Sequence, residues 1–229
     1  MDHPKLLLLI PARGGSKSIP KKNLVDLGGQ PLISHAIEAA LACHLPMTVA
    51  VSSDDPEILA VAKSWGVTTL IDRPSYLATD EATSVDVALH AHQELGSIHD
   101  YIALLQPTAP FVQAIDIDGC IELALRNNAP SAVTITNASV NPHWCFSMTN
   151  EGRLKSFLPG PRIIRRQDAP PAYCLNGAVF VSTADFLRTH KDFVGPGTLG
   201  YEMPIERSVD IDEPHDLEYA RDMFKKIHN

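Results

Sequence analysis

Two groups of residues in this 229-residue chain could do chemistry on one ligand. The first is the run Pro11-Ala12-Arg13-Gly14-Gly15-Ser16-Lys17-Ser18-Ile19-Pro20-Lys21-Lys22-Asn23, which sets four cations within ten residues. Gly14 and Gly15 let backbone N–H groups come close to anionic oxygens, while Arg13, Lys17 and Lys22 can neutralise a triphosphate. The second group is Asp210 and Asp212. In an extended segment, side chains two residues apart point the same way, so both carboxylates can reach one hard divalent cation while Ile211 faces the core. A competing reading makes Asp212 the N-cap of the last helix and Asp216 an acidic partner of its first turn.

Neither group matches the commonest phosphate signatures. The chain has no GxGxxG fingerprint and no GxxxxGK[ST] spacing after the first apolar run. The elements that must position these residues are nonetheless readable. Short apolar runs at 5–12, 47–53, 67–71, 101–106 and 132–136 predict strands, and segments of helical period at 32–43, 56–65, 84–95 and 115–126 predict helices. This alternation predicts an α/β fold with a mostly parallel sheet flanked by helices. In such sheets ligands bind outside the carboxyl ends of the strands, which places the cationic turn where a nucleotide would sit. Apolar residues at 177–182 and a final helix over 213–227 complete the expected layout. Residues 137–176 lack any period and are rich in proline, aromatic residues and arginine, so they are expected to serve a site or a partner. We expect one domain over 1–229, with 137–176 as an insertion.

Composition excludes several classes. A formal charge of −8 argues against holding nucleic acid by phosphate neutralisation. The apolar run Leu6 to Ile10 is too short to span a bilayer and lacks the features of a leader peptide, so a cytoplasmic, water-soluble globule is expected. Cys43, Cys120, Cys145 and Cys174 are scattered, with no CxxC pair, and are expected to be reduced thiols. His143 and Trp144 are read as surface or interface residues, and Trp65 as core.

The cationic turn resembles the signature of the acylneuraminate cytidylyltransferases, the CMP-sialic acid synthetases. Further stretches similar to that family follow in the same order: Asp72-Arg73-Pro74 with Leu77-Ala78-Thr79-Asp80, then Leu105-Gln106-Pro107-Thr108-Ala109-Pro110. Arg166-Gln167-Asp168 with Asn176-Gly177-Ala178 comes next, and Glu206-Arg207-Ser208-Val209-Asp210-Ile211-Asp212 closes the series. The resemblance implies a Rossmann-like nucleotidyltransferase fold. It also implies that Arg13, Lys17 and Lys22 bind the triphosphate of CTP, with Ser16 and Asn23 beside them. Arg73 and Ser84 would contribute to the nucleotide pocket, and the cytosine would be read through backbone near Ala12 to Gly14. Gln106, Arg166, Asn176 and Gly177 would hold a nine-carbon sugar acid. Asp210 and Asp212 would bind Mg2+, or Mn2+ in its place. The insertion would form a homodimer and can lend an arginine to the neighbouring site.

On this resemblance the anomeric hydroxyl of the sugar attacks the α-phosphorus of CTP and pyrophosphate leaves in line. Such a transfer rests on positioning and charge neutralisation, to which Arg13 and Lys22 would contribute, with Asp212 assisting deprotonation of the hydroxyl. Arg162, Arg165 and Arg166 crowd one stretch, and a guanidinium fork matches a sugar carboxylate. Phe180 stands where the family often has tyrosine, and Phe193-Val194 lies where some members place two aromatics, so legionaminate, pseudaminate and N-acetylneuraminate are all candidate acceptors. Two other readings are carried: transfer to a smaller acid such as 3-deoxy-manno-octulosonate, and a catalytically silent nucleotide- or sugar-binding module.

Overall fold

The computed structural model describes residues 4–160 and 163–228. Along the chain these form β1 (Leu6–Pro11), β2 (Asp26–Leu27), β3 (Gln30–Pro31), α1 (Leu32–Leu41), β4 (Thr48–Ser53), α2 (Pro56–Ser64), β5 (Thr69–Asp72), α3 (Ser84–Glu94) and β6 (Tyr101–Leu105). They continue as α4 (Ala114–Arg126), β7 (Ser131–Asn137), β8 (Phe146–Met148), β9 (Leu154–Ser156), β10 (Tyr173–Ser182), α5 (Ala184–His190), β11 (Leu199–Glu202) and α6 (Pro214–His228). A seven-stranded sheet runs in the order β11-β7-β10-β6-β1-β4-β5. Pairings are parallel except where β10 runs antiparallel to both β6 and β7. The mostly parallel sheet is the one the alternating apolar runs predict.

The centre of the sheet explains why β1 is a continuous apolar run. Leu9 pairs with Ala50 of β4 on one side and Leu104 of β6 on the other. Alternation then sends Leu6, Leu8 and Ile10 to a core shared with α1, α2 and α4, while Leu7 and Leu9 enter a second core under α3 and α5. Each of Leu7, Leu8 and Leu9 is fully buried, contributing about 1.5–3 kcal/mol apiece. Trp65 packs against the first core, as expected.

Helix starts are set by local chemistry. Asp55 caps α2 by accepting from the Glu57 N–H at 2.8 Å. Thr83 and Asp86 form a capping box at the start of α3, whose first residue is Ser84.

Several elements differ from the sequence-based expectation. Strand β10 begins at Tyr173 rather than 177, because Tyr173, Cys174 and Leu175 pair with the end of β7 while their side chains stay exposed. No apolar alternation marks such a segment, and a register shift between Leu175 and Phe180 interrupts it further. The excursion therefore runs from 138 to 172 and holds the β8–β9 hairpin, with short 3-10 turns at Pro142–Trp144 and Arg166–Asp168. Helix α5 and strand β11 were not expected. Both are short, and α5 is signalled only by Thr183, whose hydroxyl accepts from the Phe186 N–H at 3.3 Å.

All four cysteines are free, and burial pushes the Cys43 and Cys120 thiols up to about 12. No helix among the described residues is long and apolar enough to cross a membrane.

Candidate active site

A cleft of about 680 Å³ opens beyond the carboxyl ends of β1 and β6, with the cationic turn along one wall and the segment before α6 along another. Its lining includes Arg13, Ser16, Lys17, Lys22, Asn23, Arg73, Ser84, Gln106, Gly177, Asp210 and Asp212, which the sequence places far apart. A third apolar cluster, Ile19, Leu27, Leu32, Ile211, Leu217 and Ala220, pins the two walls together. Ile19 comes from the turn and Ile211 from between the two aspartates, so their shared burial fixes one wall relative to the other. Ile211 facing the core is the arrangement expected from the period-two argument.

Within the turn, Asn23 Nδ2 donates to the Arg13 carbonyl at 3.0 Å, closing the loop on itself. Lys21 takes the left-handed conformation at φ 51°, and the chain then turns into Lys22. Lys22 Nζ donates to the Ile211 carbonyl at 2.9 Å and lies 3.0 Å from Asp212 Oδ1, with 14% of its side chain exposed. Arg13 pairs with Asp80 at 2.8 Å, and Lys17 pairs with the same carboxylate. Those two cations, Lys17 foremost, hold the Asp80 carboxyl below its ordinary range. The Arg73 guanidinium is buried and donates to the Ser52 hydroxyl and carbonyl, and burial brings its pKa down to about 10.

The two glycines differ. The Gly14 N–H donates to Asp54 Oδ1 at 3.0 Å, and a side chain there would meet the Asp55 carboxylate at 2.8 Å. Gly14 is thus required by the approach of the α2 cap, and its N–H is engaged by the Asp54 carboxylate. Gly15 has open space where a side chain would stand. Ala12 is fully buried, its N–H bonded to the Ser52 carbonyl at 3.0 Å, and it supports the turn from beneath rather than lining the cleft.

The acidic wall carries the site's most unusual group. Asp210 is partly buried, its Oδ1 atom is buried without a hydrogen-bond partner, and burial raises its pKa against the opposing hydrogen bond of Thr108. Glycine is needed opposite it, because Gly177 sits at φ +74° with Asp210 Oδ2 3.0 Å from where a Cβ would be. Asp212 is exposed and faces Lys22. Asp216 accepts from the Asp212 and Glu213 N–H groups at 3.1 and 2.8 Å, so Asp216, not Asp212, satisfies the start of α6. The described residues hold no group of three or more His, Cys, Asp or Glu placed to bind a metal. Two carboxylates, one with an orphaned buried oxygen, suit a Mg2+ ion that takes its other ligands from phosphate and water.

Two expected sugar contacts lie elsewhere. Arg166 is exposed on the 3-10 turn of the excursion and does not line the cleft of its own chain. Arg165 pairs with Asp168 at 2.8 Å, and Arg162 lies outside the described residues. Asn176 is buried and bonded inward, away from the cleft lining. Asp80 and Thr108 also line the cleft and were not expected there. Both lie within stretches singled out for the resemblance, but their roles depend on partners in other elements.

Residues 7–158 match the family model described as cytidylyltransferase. The chain is 34% identical over 221 residues to the CMP-N,N'-diacetyllegionaminic acid synthase of Legionella pneumophila, covering 93% of each protein. It is 32% identical to the pseudaminic acid cytidylyltransferase of Campylobacter jejuni, covering 98% of each. The fold is similar to a solved CMP:2-keto-3-deoxy-manno-octonic acid synthetase complexed with CTP, with TM-score 0.74, 20% identity, and coverage of 97% of this chain and 99% of that one. On the family match and on identity across nearly the whole chain, this protein belongs to the cytidylyltransferase family.

Proposed function

We propose that this chain transfers CMP from CTP to the anomeric hydroxyl of a sialic-acid-like nonulosonic acid and releases pyrophosphate. The observation that carries the reading is the single cleft in which Arg13, Lys17 and Lys22 face Asp210 and Asp212. Arg13, Lys17 and Lys22 grip the triphosphate, Arg13 and Lys17 exchanging Asp80 for phosphate oxygens as it enters. Asn23 holds the turn closed, and Ser16, Arg73 and Ser84 line the nucleotide end. Asp210 and Asp212 hold Mg2+, which when bound neutralises phosphate charge and makes the sugar hydroxyl more acidic. Asp212, exposed to the cleft, accepts the hydroxyl proton as the oxygen attacks the α-phosphorus and the bond to pyrophosphate breaks. Gln106 and Gly177 border the sugar. With CTP as donor, the reaction belongs in the cytoplasm.

The excursion supports assignment as a homodimer element on an otherwise single domain. Met148, Leu154, Phe157 and Ile164 expose 64–80% of their surface along it, an apolar density that a second copy would cover. Trp144 braces it from within, Nε1 donating to the Ile163 carbonyl at 2.8 Å. Since Arg166 rides on this excursion and misses its own cleft, its guanidinium is assigned to the sugar carboxylate in the neighbouring subunit's cleft.

Phe180 refines the acceptor. It lines the cleft and packs against Phe193 with ring centroids 5.5 Å apart, so this wall offers no hydroxyl. The extra methyl and amide groups that set legionaminate and pseudaminate apart from N-acetylneuraminate fit such a wall better than hydroxyls, which supports acceptors of those two types. Pyrophosphate release and CMP-conjugate formation with CTP, Mg2+ and a panel of these three sugars plus 3-deoxy-manno-octulosonate test this. Turnover with a nonulosonic acid is expected. Activity confined to 3-deoxy-manno-octulosonate would support the smaller-acid reading, and no turnover with any sugar would favour a silent binding module.

A further inference from the structure

We propose that Asn176 is not a sugar contact but the positioning residue that sets Asp210 in the cleft. The inference rests on the reading that Asp210 holds the divalent ion.

Hydrogen-bond direction fixes how the Asn176 amide lies. The Ala178 N–H can only donate, and it points at the Asn176 oxygen, Oδ1, at 3.2 Å. The Thr134 hydroxyl accepts from the Val179 N–H at 2.9 Å and donates to the same Oδ1 at 2.7 Å, the nearer of its two acceptors, with the Val179 carbonyl at 3.1 Å. Both acceptor directions of Oδ1 are therefore filled. On the other side Nδ2 donates to Ser208 Oγ at 2.9 Å and faces Met203 Sδ at 3.2 Å. Ser208 Oγ passes its own proton to the Pro204 carbonyl at 2.8 Å. A directed chain thus runs from the Val179 N–H through Thr134, Asn176 and Ser208 to Pro204. Asn176 and Thr134, which expose only 6% and 1% of their surface, polarise one another in a buried setting, and Ser208 and Pro204 carry the chain out to the surface.

Such saturation leaves Asn176 no donor or acceptor for a sugar. What the chain does join is β7, β10 and the segment 204–208, two residues before Asp210. Directly after Asn176 comes Gly177, whose absent side chain makes room for Asp210 Oδ2 at 3.0 Å. Asn176 therefore fixes both the bulge that accepts Asp210 and the segment that delivers it. A second anchor, the Ile211 N–H donating to the Thr108 carbonyl at 2.9 Å, holds the other side of Asp210.

The test is Mn2+ binding to the full chain in the presence of CTP, followed by electron paramagnetic resonance, with sugar KM measured in parallel. Loss of binding in Asp210→Asn establishes that Asp210 holds the ion. Retained binding there would bring down the metal assignment and this inference with it. Given that loss, Asn176→Ala and Ser208→Ala are each expected to weaken Mn2+ about tenfold or more while sugar KM stays within about twofold. The double variant should be no worse than the worse single one, as members of one chain act together. Ser208→Thr, which keeps the hydroxyl, should stay close to wild type. If Asn176→Ala fails to fold, Ser208→Ala decides alone. Unchanged Mn2+ affinity in Ser208→Ala, or a large rise in sugar KM confined to Asn176→Ala, would overturn the positioning role.

Discussion

Lys22 Nζ sits 3.0 Å from Asp212 Oδ1 and 2.9 Å from the Ile211 carbonyl, so one ammonium group joins the cationic turn to the acidic wall. The site therefore has a built-in register between the groups that would grip a triphosphate and those that would hold its metal. A ligand bridging the two walls meets charges already set at the right separation, which is how a site stabilises a transition state without rearranging during the reaction.

Asp212→Asn keeps the side chain's shape but removes the proposed proton acceptor and metal ligand. Because the Asp212 side chain is 70% exposed, Tm should not move. Turnover should fall by about 10²-fold or more, the contribution expected of a positioned base. Wild-type turnover in this variant would remove Asp212 from the chemistry.

On the proposed function, Asp80, paired with Arg13 and Lys17, would compete with the triphosphate for both cations. Asp80→Asn frees both cations, and because the pairs are exposed the gain is modest: KM for CTP should fall about two- to fivefold. The difference should shrink at high salt, as Coulomb attraction between exposed groups is screened. A rise in KM would instead make Asp80 a residue that pre-sets the turn for CTP.

Arg207 holds the acidic wall from behind. Its guanidinium meets the fully buried Asp116 carboxylate through two bonds of 2.8 and 2.7 Å, and Asp116 also caps α4. Removing Arg207 strands a buried charge, so Arg207→Ala should cost about 3 kcal/mol or more in denaturant unfolding. No measurable loss would mean Asp116 finds water or another donor.

His99 gives a pH signature at the opposite end of the sheet. Burial, with the neighbouring His92 and Lys5 adding to it and Asp100 opposing, holds its pKa below the ordinary 6.5. The folded state thus prefers neutral His99 while the unfolded chain binds the proton more readily. Stability from this group is present above pH 6.5 and is lost as pH falls from there toward the folded value. Thermal melts from pH 7.5 to 5 should show this decline, and His99→Gln should flatten it. An unchanged slope in that variant would assign the decline to other groups.

The strands of the sheet centre were legible because both faces of β1 are covered, which forces an unbroken apolar run at 6–10. The carboxylate pair was legible because period two depends only on the backbone being extended. Strand β10 was misread in its first half because Tyr173–Leu175 bury nothing within the chain, leaving no pattern to see. Asn176, a sugar contact on the resemblance, lies bonded inward for a reason of a different kind. Its hydrogen bonds are filled by Thr134 and Ser208, 42 and 32 residues away, and no local spacing reports such partners. Gly14 shows the same limit, since its need for a bare Cα comes from Asp55 on another helix.

A crystal of the enzyme grown with CTP and Mn2+ tests the central claim most directly, because anomalous scattering locates the ion independently of the protein. One ion is expected about 2–2.5 Å from carboxylate oxygens of both Asp210 and Asp212. The same CTP should lay its phosphates against Arg13, Lys17 and Lys22. An ion bound away from those aspartates, or a triphosphate that leaves the three cations untouched, would contradict it.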